Sequence, residues 1–151
     1  MVCARVGHLE LALEHLRESA LVDLRDIQQD AEQGLHLASA AGSWLAVVCG
    51  FGGLDTGGDE LRLAPRLPER LHRIAFRLRW RGHRIGVEIT RSGTAVRLLD
   101  GAAAEVALRI DDEPLTLTAD RPAHVPLRAP HPPGPAPRQP PGRAPRAPRT
   151  P

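Results

Sequence analysis

A histidine and small hydroxyl side chains are gathered in Gly34-Leu35-His36-Leu37-Ala38-Ser39 and the following Ala41-Gly42-Ser43-Trp44. If a helix opens near Leu37, its first turn presents backbone N–H groups and the positive end of the dipole, which suits an anion. An imidazole N–H at that entrance can donate to a phosphate oxygen. The plainer alternative is a histidine that caps the helix. His8 and His15 are seven residues apart and could share a helix face, but solvated or capping roles suit them better. Asp111-Asp112-Glu113 could hold a hard cation weakly, although a charged hairpin turn is the commoner use of such a run. Arg73, Arg77, Arg79, Arg81 and Arg84 form a basic stripe. A nucleic-acid surface would set aromatic stacking partners beside it, whereas Phe76 and Trp80 fall on the opposite face by parity. The stripe is therefore expected to be a solvated face, or one paired with the acids of residues 92–120.

Other chemistries are excluded by what the sequence lacks. All 20 basic residues are arginine, so no Walker-type or Schiff-base lysine exists. Neither Cys-x-x-Cys nor His-Glu-x-x-His occurs, and zinc is not expected; no motif calls for a cofactor. Cys3 and Cys49 make no disulfide framework, and Cys49, inside an apolar run, is expected to be a buried thiol. The net charge of +2 hides blocks of about −7 over residues 1–61, +7 over 62–91, −4 over 92–120 and +6 over 121–151. The basic isoelectric point thus depends on the last thirty residues and says nothing about nucleic acid at the folded part. No signal-peptide pattern opens the chain, which gives a cytoplasmic expectation. Leu37–Leu54 is uncharged for 18 residues, the lower edge of a spanning length. Its serines, its glycines and the missing basic flank favour a buried helix running into a glycine loop.

These residues need elements to position them. Leu9, Ala12, Leu13, Leu16, Ala20, Leu24 and Ile27 recur in steps of three and four, predicting an amphipathic helix from about His8 to Ile27. The polar stretch Gln28–Gly34 breaks it. A second helix is predicted from about Leu37 to Val48, apolar nearly all round, as in a helix inside a larger body. Gly50, Gly52, Gly53, Gly57 and Gly58 then mark a loop, and Pro65 and Pro68 stiffen the connection to the next segment. From His72 the period becomes two: Ile74, Phe76, Leu78 and Trp80 lie on one face, Arg73, Arg77, Arg79 and Arg81 on the other. Gly82-His83 can turn that strand back into Ile85, Val87 and Ile89. Further turns at Ser92-Gly93 and Asp100-Gly101 separate short strands near Ala95–Leu99, Glu105–Ile110 and Leu115–Thr118, about five in all. Of 15 prolines, 12 lie at or after Pro122, so residues beyond Arg121 are expected to stay extended and disordered. Two helices and a small sheet cannot cover an all-round apolar helix, and an exposed patch of that kind points to a missing partner.

Several stretches occur in an order that resembles the C-terminal end of glycoside hydrolase family 65: Asp23-Leu24, Gly34-Leu35-His36, Ala41-Gly42-Ser43-Trp44, Gly50-Phe51-Gly52-Gly53-Leu54, Pro65-Arg66-Leu67-Pro68 and Phe76-Arg77-Leu78-Arg79-Trp80-Arg81-Gly82. The resemblance runs from about Gly7 to Leu99, weakens to Thr118 and omits the tail. That family includes the maltose, trehalose and kojibiose phosphorylases and some hydrolases. The resemblance implies an α+β chain: the last helices of an (α/α)6 barrel, then a small antiparallel, sandwich-like β domain. It also implies inverting chemistry, in which a glutamic acid protonates the glycosidic oxygen while phosphate or water attacks from the opposite side. The family's glutamic acid lies upstream and has no matching position here, so no catalytic residue is assigned. His36 matches the family's Gly-Leu/Ile-His at the barrel mouth and is the implied phosphate ligand, with Ser39 as the second candidate.

The expected organisation is a helical barrel end at 1–54, a C-terminal β domain at 55–120 and a disordered Pro/Arg-rich tail at 121–151. The expected function is that of a C-terminal fragment of a family 65 enzyme acting on an α-linked glucosyl disaccharide, inactive by itself. Inorganic phosphate and the disaccharide would be partners of the full-length protein, and the missing barrel a docking partner. Two alternatives come from other classes: a free-standing interaction module that docks on a separate barrel subunit, and an Arg-driven nucleic-acid binder. The second predicts an affinity that falls steeply with salt.

Overall fold

A single turn, α1 (Val2–Arg5), leads through Gly7 into α2 (Leu9–Ala20). This computed structural model describes residues 1–23, 34–100, 105–130 and 132–145. Leu9, Ala12 and Leu13 form the buried face of α2, as the three/four spacing predicts. Glu10 in its first turn and Arg17 in its last complement the helix dipole. The expected continuation to Ile27 and most of the polar break lie outside the described residues. The next helix, α3 (Leu37–Leu45), passes directly into a π-helical turn, Ala46–Phe51. There Gly52 N–H reaches back five residues to Val47 O at 2.8 Å. The widened turn drives Val48, Gly50 and Phe51 into the core. The glycine loop therefore starts at Gly52, later than the sequence suggests. α3 itself buries no residue, and Leu37, Trp44 and Leu45 stay exposed on it, the uncovered apolar patch expected where two helices and a small sheet cannot enclose such a helix.

Among the described residues seven strands come next, two more than the sequence predicts: β1 (Leu61–Leu63), β2 (Arg73–Trp80), β3 (His83–Thr90), β4 (Gly93–Leu98), β5 (Val106–Ile110), β6 (Glu113–Leu117) and β7 (Ala123–Val125). They form a four-stranded sheet in the order β2-β3-β4-β7 and a three-stranded sheet in the order β1-β5-β6. Every pairing is antiparallel except β1 with β5, which is parallel, so the expected all-antiparallel unit is corrected to a mixed one. β7 lies inside the stretch expected to be disordered from residue 121. It is held there by pairing with β4 and by burial of Val125.

The hairpin turns obey the right-handed twist of the strands. Trp80 pairs with His83, leaving Arg81-Gly82 as the two-residue turn, one position earlier than predicted. Both residues have positive φ, 48° and 87°, as a primed turn requires. Arg81 thus leaves the strand face, and its guanidinium sits over the Trp80 ring at 5.3 Å. Thr90 pairs with Gly93 around Arg91-Ser92, and Ile110 pairs with Glu113 around Asp111-Asp112. The acidic run is thus a hairpin turn.

One apolar core joins helices and sheets. Ile74, Ile85, Val87, Ile89, Val96 and Val125 of the larger sheet and Leu61, Leu63, Leu108, Ile110 and Leu117 of the smaller are buried with Val48 and Phe51. Gly53 seals the join between the helical end and β1. Its φ is +63°, and a Cβ there would stand 2.2 Å from Ala64 O. Ala64 N–H donates back to Gly53 O, and Arg66 N–H to Phe51 O at 2.7 Å.

Candidate functional site

His36 occupies the N-cap position of α3. Its backbone N–H donates to Asp23 Oδ2 at 3.1 Å, and its ring Nδ1 meets Asp23 Oδ1 at 2.5 Å. Facing an ionised carboxylate, Nδ1 is the donating ring nitrogen, and the two contacts together fix the ring's orientation. The His36 side-chain hydrogen bond, more than any other influence, holds the Asp23 carboxyl below the usual aspartate range; partial desolvation opposes it. His36 gives α3 no side-chain cap bond, so it caps the helix by position and backbone rather than through its ring. Its carbonyl instead accepts from Ser39 N–H at 2.9 Å and Ala40 N–H at 3.1 Å. Leu37 N–H donates to Leu35 O. Part of the helix entrance that could serve an anion is therefore already engaged by local carbonyls.

Ser39 takes part through its backbone: its carbonyl accepts from Ser19 Oγ at 3.2 Å, and Ser43 Oγ donates to the same Ser19 hydroxyl at 3.1 Å. Ser19, Ser39 and Ser43 thus pin α3 onto the end of α2. Asp23 is the site residue that residue-type reasoning misses. Its signal is membership of the Asp23-Leu24 stretch, but nothing in the spacing announces a contact across 13 residues.

The remaining candidates have structural settings. His8 sits at the N-cap of α2 without a side-chain cap bond. Cys49 is half-buried rather than fully buried, and it and Cys3 are free thiols. Asp111 pairs with Arg66 at 2.8 Å, and Asp112 with Arg128 at 2.9 Å. Nor does the basic stripe pair wholesale with the acids of residues 92–120. Arg73 meets Glu88 at 2.5 Å and Arg81 meets Asp59 at 3.1 Å, while among the described residues the Asp100 carboxylate takes only the backbone N–H of Arg84. Arg91 does what no motif foretells: its guanidinium donates to the carbonyls of Leu67, Pro68 and Leu71, tying the β3–β4 turn to the proline-rich connector. Among the described residues no helix is long and apolar enough to cross a membrane.

Comparison with known proteins places these elements in one family. Residues 1–45 match the glycosyl hydrolase family 65 central catalytic domain, and residues 54–117 match the family's C-terminal domain. An uncharacterized glycosyl hydrolase of Mycobacterium leprae is 45% identical over 139 residues, covering 92% of this chain but 18% of the relative. The alpha,alpha-trehalose phosphorylase of Thermoanaerobacter brockii is 36% identical over 101 residues, 67% of this chain and 13% of that protein. A solved structure, "Putative kojibiose phosphorylase from human microbiome", superposes with a TM-score of 0.69 at 20% identity, over 76% of this chain and 16% of that one. The chain thus spans about a fifth of the length of the mycobacterial relative. With both domain models matched in order along one polypeptide, the chain belongs to glycoside hydrolase family 65.

Proposed function

We propose that this chain supplies the last helices of a catalytic (α/α)6 barrel and the C-terminal β domain of an inverting enzyme that cleaves an α-linked glucosyl disaccharide, with phosphate or water as acceptor. In this reading His36, as an imidazolium whose Nδ1–H is held by Asp23, donates from Nε2–H to phosphate at the barrel mouth, and Ser39 lies one helical turn further along. The general acid belongs to the missing part of the barrel, so the 151-residue chain alone does not turn over. One observation carries the reading: a histidine braced by a carboxylate stands at the entrance of a helix that buries none of its own side chains. Relatives named as trehalose, maltose and kojibiose phosphorylases support the substrate class. The test is release of glucose 1-phosphate from trehalose, maltose and kojibiose in phosphate buffer. The purified chain alone is expected to be inactive; turnover by it would overturn the reading.

The uncovered helix also favours a second arrangement, in which the chain is a separate module docking on a barrel encoded elsewhere. Leu37, at 76% exposure, and Trp44, at 52%, are large apolar groups left in water. Co-purification of a larger helical subunit, lost on Leu37→Glu/Trp44→Glu, would favour that arrangement.

A further inference from the structure

The larger sheet ends on one side in β2, whose far edge pairs with no strand among the described residues. Backbone directions along β2 follow from Arg84, the residue opposite Arg79. Arg84 N–H donates to the Asp100 carboxylate and Arg84 C=O accepts from Leu99 N–H, so both groups point away from β2. Arg79 and Arg84 are therefore a non-hydrogen-bonded pair, and antiparallel alternation gives Arg73, Ala75 and Arg77 the same setting. The N–H and C=O groups of these residues face outward from the sheet, and no described strand takes them. A second observation lies on the buried face. Ile85, Val87 and Ile89 of β3 and Val96 of β4 are buried, whereas Phe76, Leu78 and Trp80 of β2 are only half-buried. The apolar layer thus runs out uncovered at this edge. A third lies on the solvent face, where Arg79 stands directly opposite Arg84 as an unfavourable like-charge pair. Neither of them, nor Arg77, has a carboxylate within ion-pair distance among the described residues, although Arg73 is matched by Glu88.

We propose that the β2 edge docks an extended, acidic peptide segment of a partner protein, which adds to the sheet as a further strand. Main-chain bonds to the outward groups of Arg73, Ala75, Arg77 and Arg79 hold the segment in place. Carboxylates at alternate positions lie beside Arg77 and Arg79 and supply the missing counter-charge. The intervening aliphatic side chains fall on the other face and cover Phe76, Leu78 and Trp80. A second copy of this chain is a poor occupant, since pairing β2 with β2 sets arginine beside arginine, the device by which charged edges repel their own kind. The site uses neither His36 nor the uncovered face of α3.

The test titrates the whole 151-residue chain with a capped, strand-length peptide alternating glutamate and valine, followed by NMR at constant ionic strength. Saturable binding is expected, with amide exchange at Ala75, Arg77 and Arg79 slowed roughly tenfold or more in the complex. A peptide alternating lysine and valine should bind more weakly, on the order of tenfold. Arg77→Glu/Arg79→Glu should reverse that preference. Ala75→Pro removes an outward N–H without breaking a bond to β3, and an edge strand tolerates proline at such a position. It should abolish binding while the β3 amides stay protected; if this variant fails to fold, the charge-reversed one decides alone. Absence of saturation, unslowed exchange at the three amides, equal binding of both peptides by the parent chain, an unreversed preference, or undiminished binding by folded Ala75→Pro would overturn the proposal. So would a concentration-dependent dimer that protects the same amides without peptide, which would assign the edge to a second copy.

Discussion

Asp23 accepts two hydrogen bonds from one residue, His36, and its carboxyl is lowered chiefly by the ring contact. A lowered carboxyl stabilises the folded form above the ordinary aspartate value of about 3.9, and that contribution is lost as pH falls through the lowered native value. Followed by carbon NMR, the Asp23 carboxyl is expected to titrate below a free aspartate, and His36→Gln should move it upward. A midpoint at the free value in the parent chain would mean that the ring contact is not formed in solution. A different logic governs Asp111. Its side chain is 5% exposed against Arg66 at 20%, and its φ is +52°. Asp111→Ala takes the carboxylate from the largely buried Arg66 guanidinium, leaving it the Pro65 carbonyl, and sets alanine in a left-handed turn; it should cost about 3 kcal/mol in urea unfolding. Asp111→Asn keeps both the turn tolerance and an acceptor and should cost about 1 kcal/mol. Equal losses in the two variants would show that the charge pair is not what holds the turn.

The elements divide by how much of their order is written locally. β2 and β3 are legible because eight-residue alternation leaves one register that buries Ile74, Ile85, Val87 and Ile89 together. β1 and β7 are not, since three residues cannot display a period and their pairing is decided by partners 47 residues on, as Leu61 is by Leu108, or 31 residues back, as Val125 is by Thr94. The π turn is equally hidden. An apolar run carries no phase, so nothing in Ala46–Phe51 says where α-helical bonding gives way. The same limit applies to the site: His36 stands out through a motif, but its brace, Asp23, belongs to a contact made by the fold. Glycines at this junction separate local preference from tertiary demand. Gly50 lies in the π turn, and a Cβ there would come no closer than 3.4 Å to a neighbour, Met1 Cα, so Gly50→Ala should change stability by less than about 1 kcal/mol. Gly53 combines a left-handed φ with a backbone oxygen where the Cβ would go, and Gly53→Ala should lose about 3 kcal/mol. Matching urea midpoints for the two variants would refute the claim that Gly53 seals helix to sheet.

On the scale of the whole molecule the distribution of burial is lopsided. Most of the fully buried aliphatic side chains lie in the strands and at the π turn, whereas α3 contributes none and is attached through Asp23 and the serine contacts. Leu37, Trp44 and Leu45 remain in water on that helix and Leu35 just before it, with Met1, Val2 and Val6 exposed on the N-terminal segment. Few buried apolar contacts mean a low free energy of local opening. Amide exchange in α3 should therefore be faster than in β3 by several orders of magnitude and should not follow global unfolding. Leu37→Glu/Trp44→Glu removes no core contact, so it should shift urea stability by no more than about 0.5 kcal/mol. Ile89→Ala, in the middle of β3, should cost about 3 kcal/mol. In a protein that also holds the rest of the central catalytic domain, the ranking is expected to change: α3 becomes protected, and the paired glutamates become as costly as the core truncation. Exchange protection of α3 in the 151-residue chain equal to that of β3 would show that its apolar face already has a cover, and the docking role would fall with it.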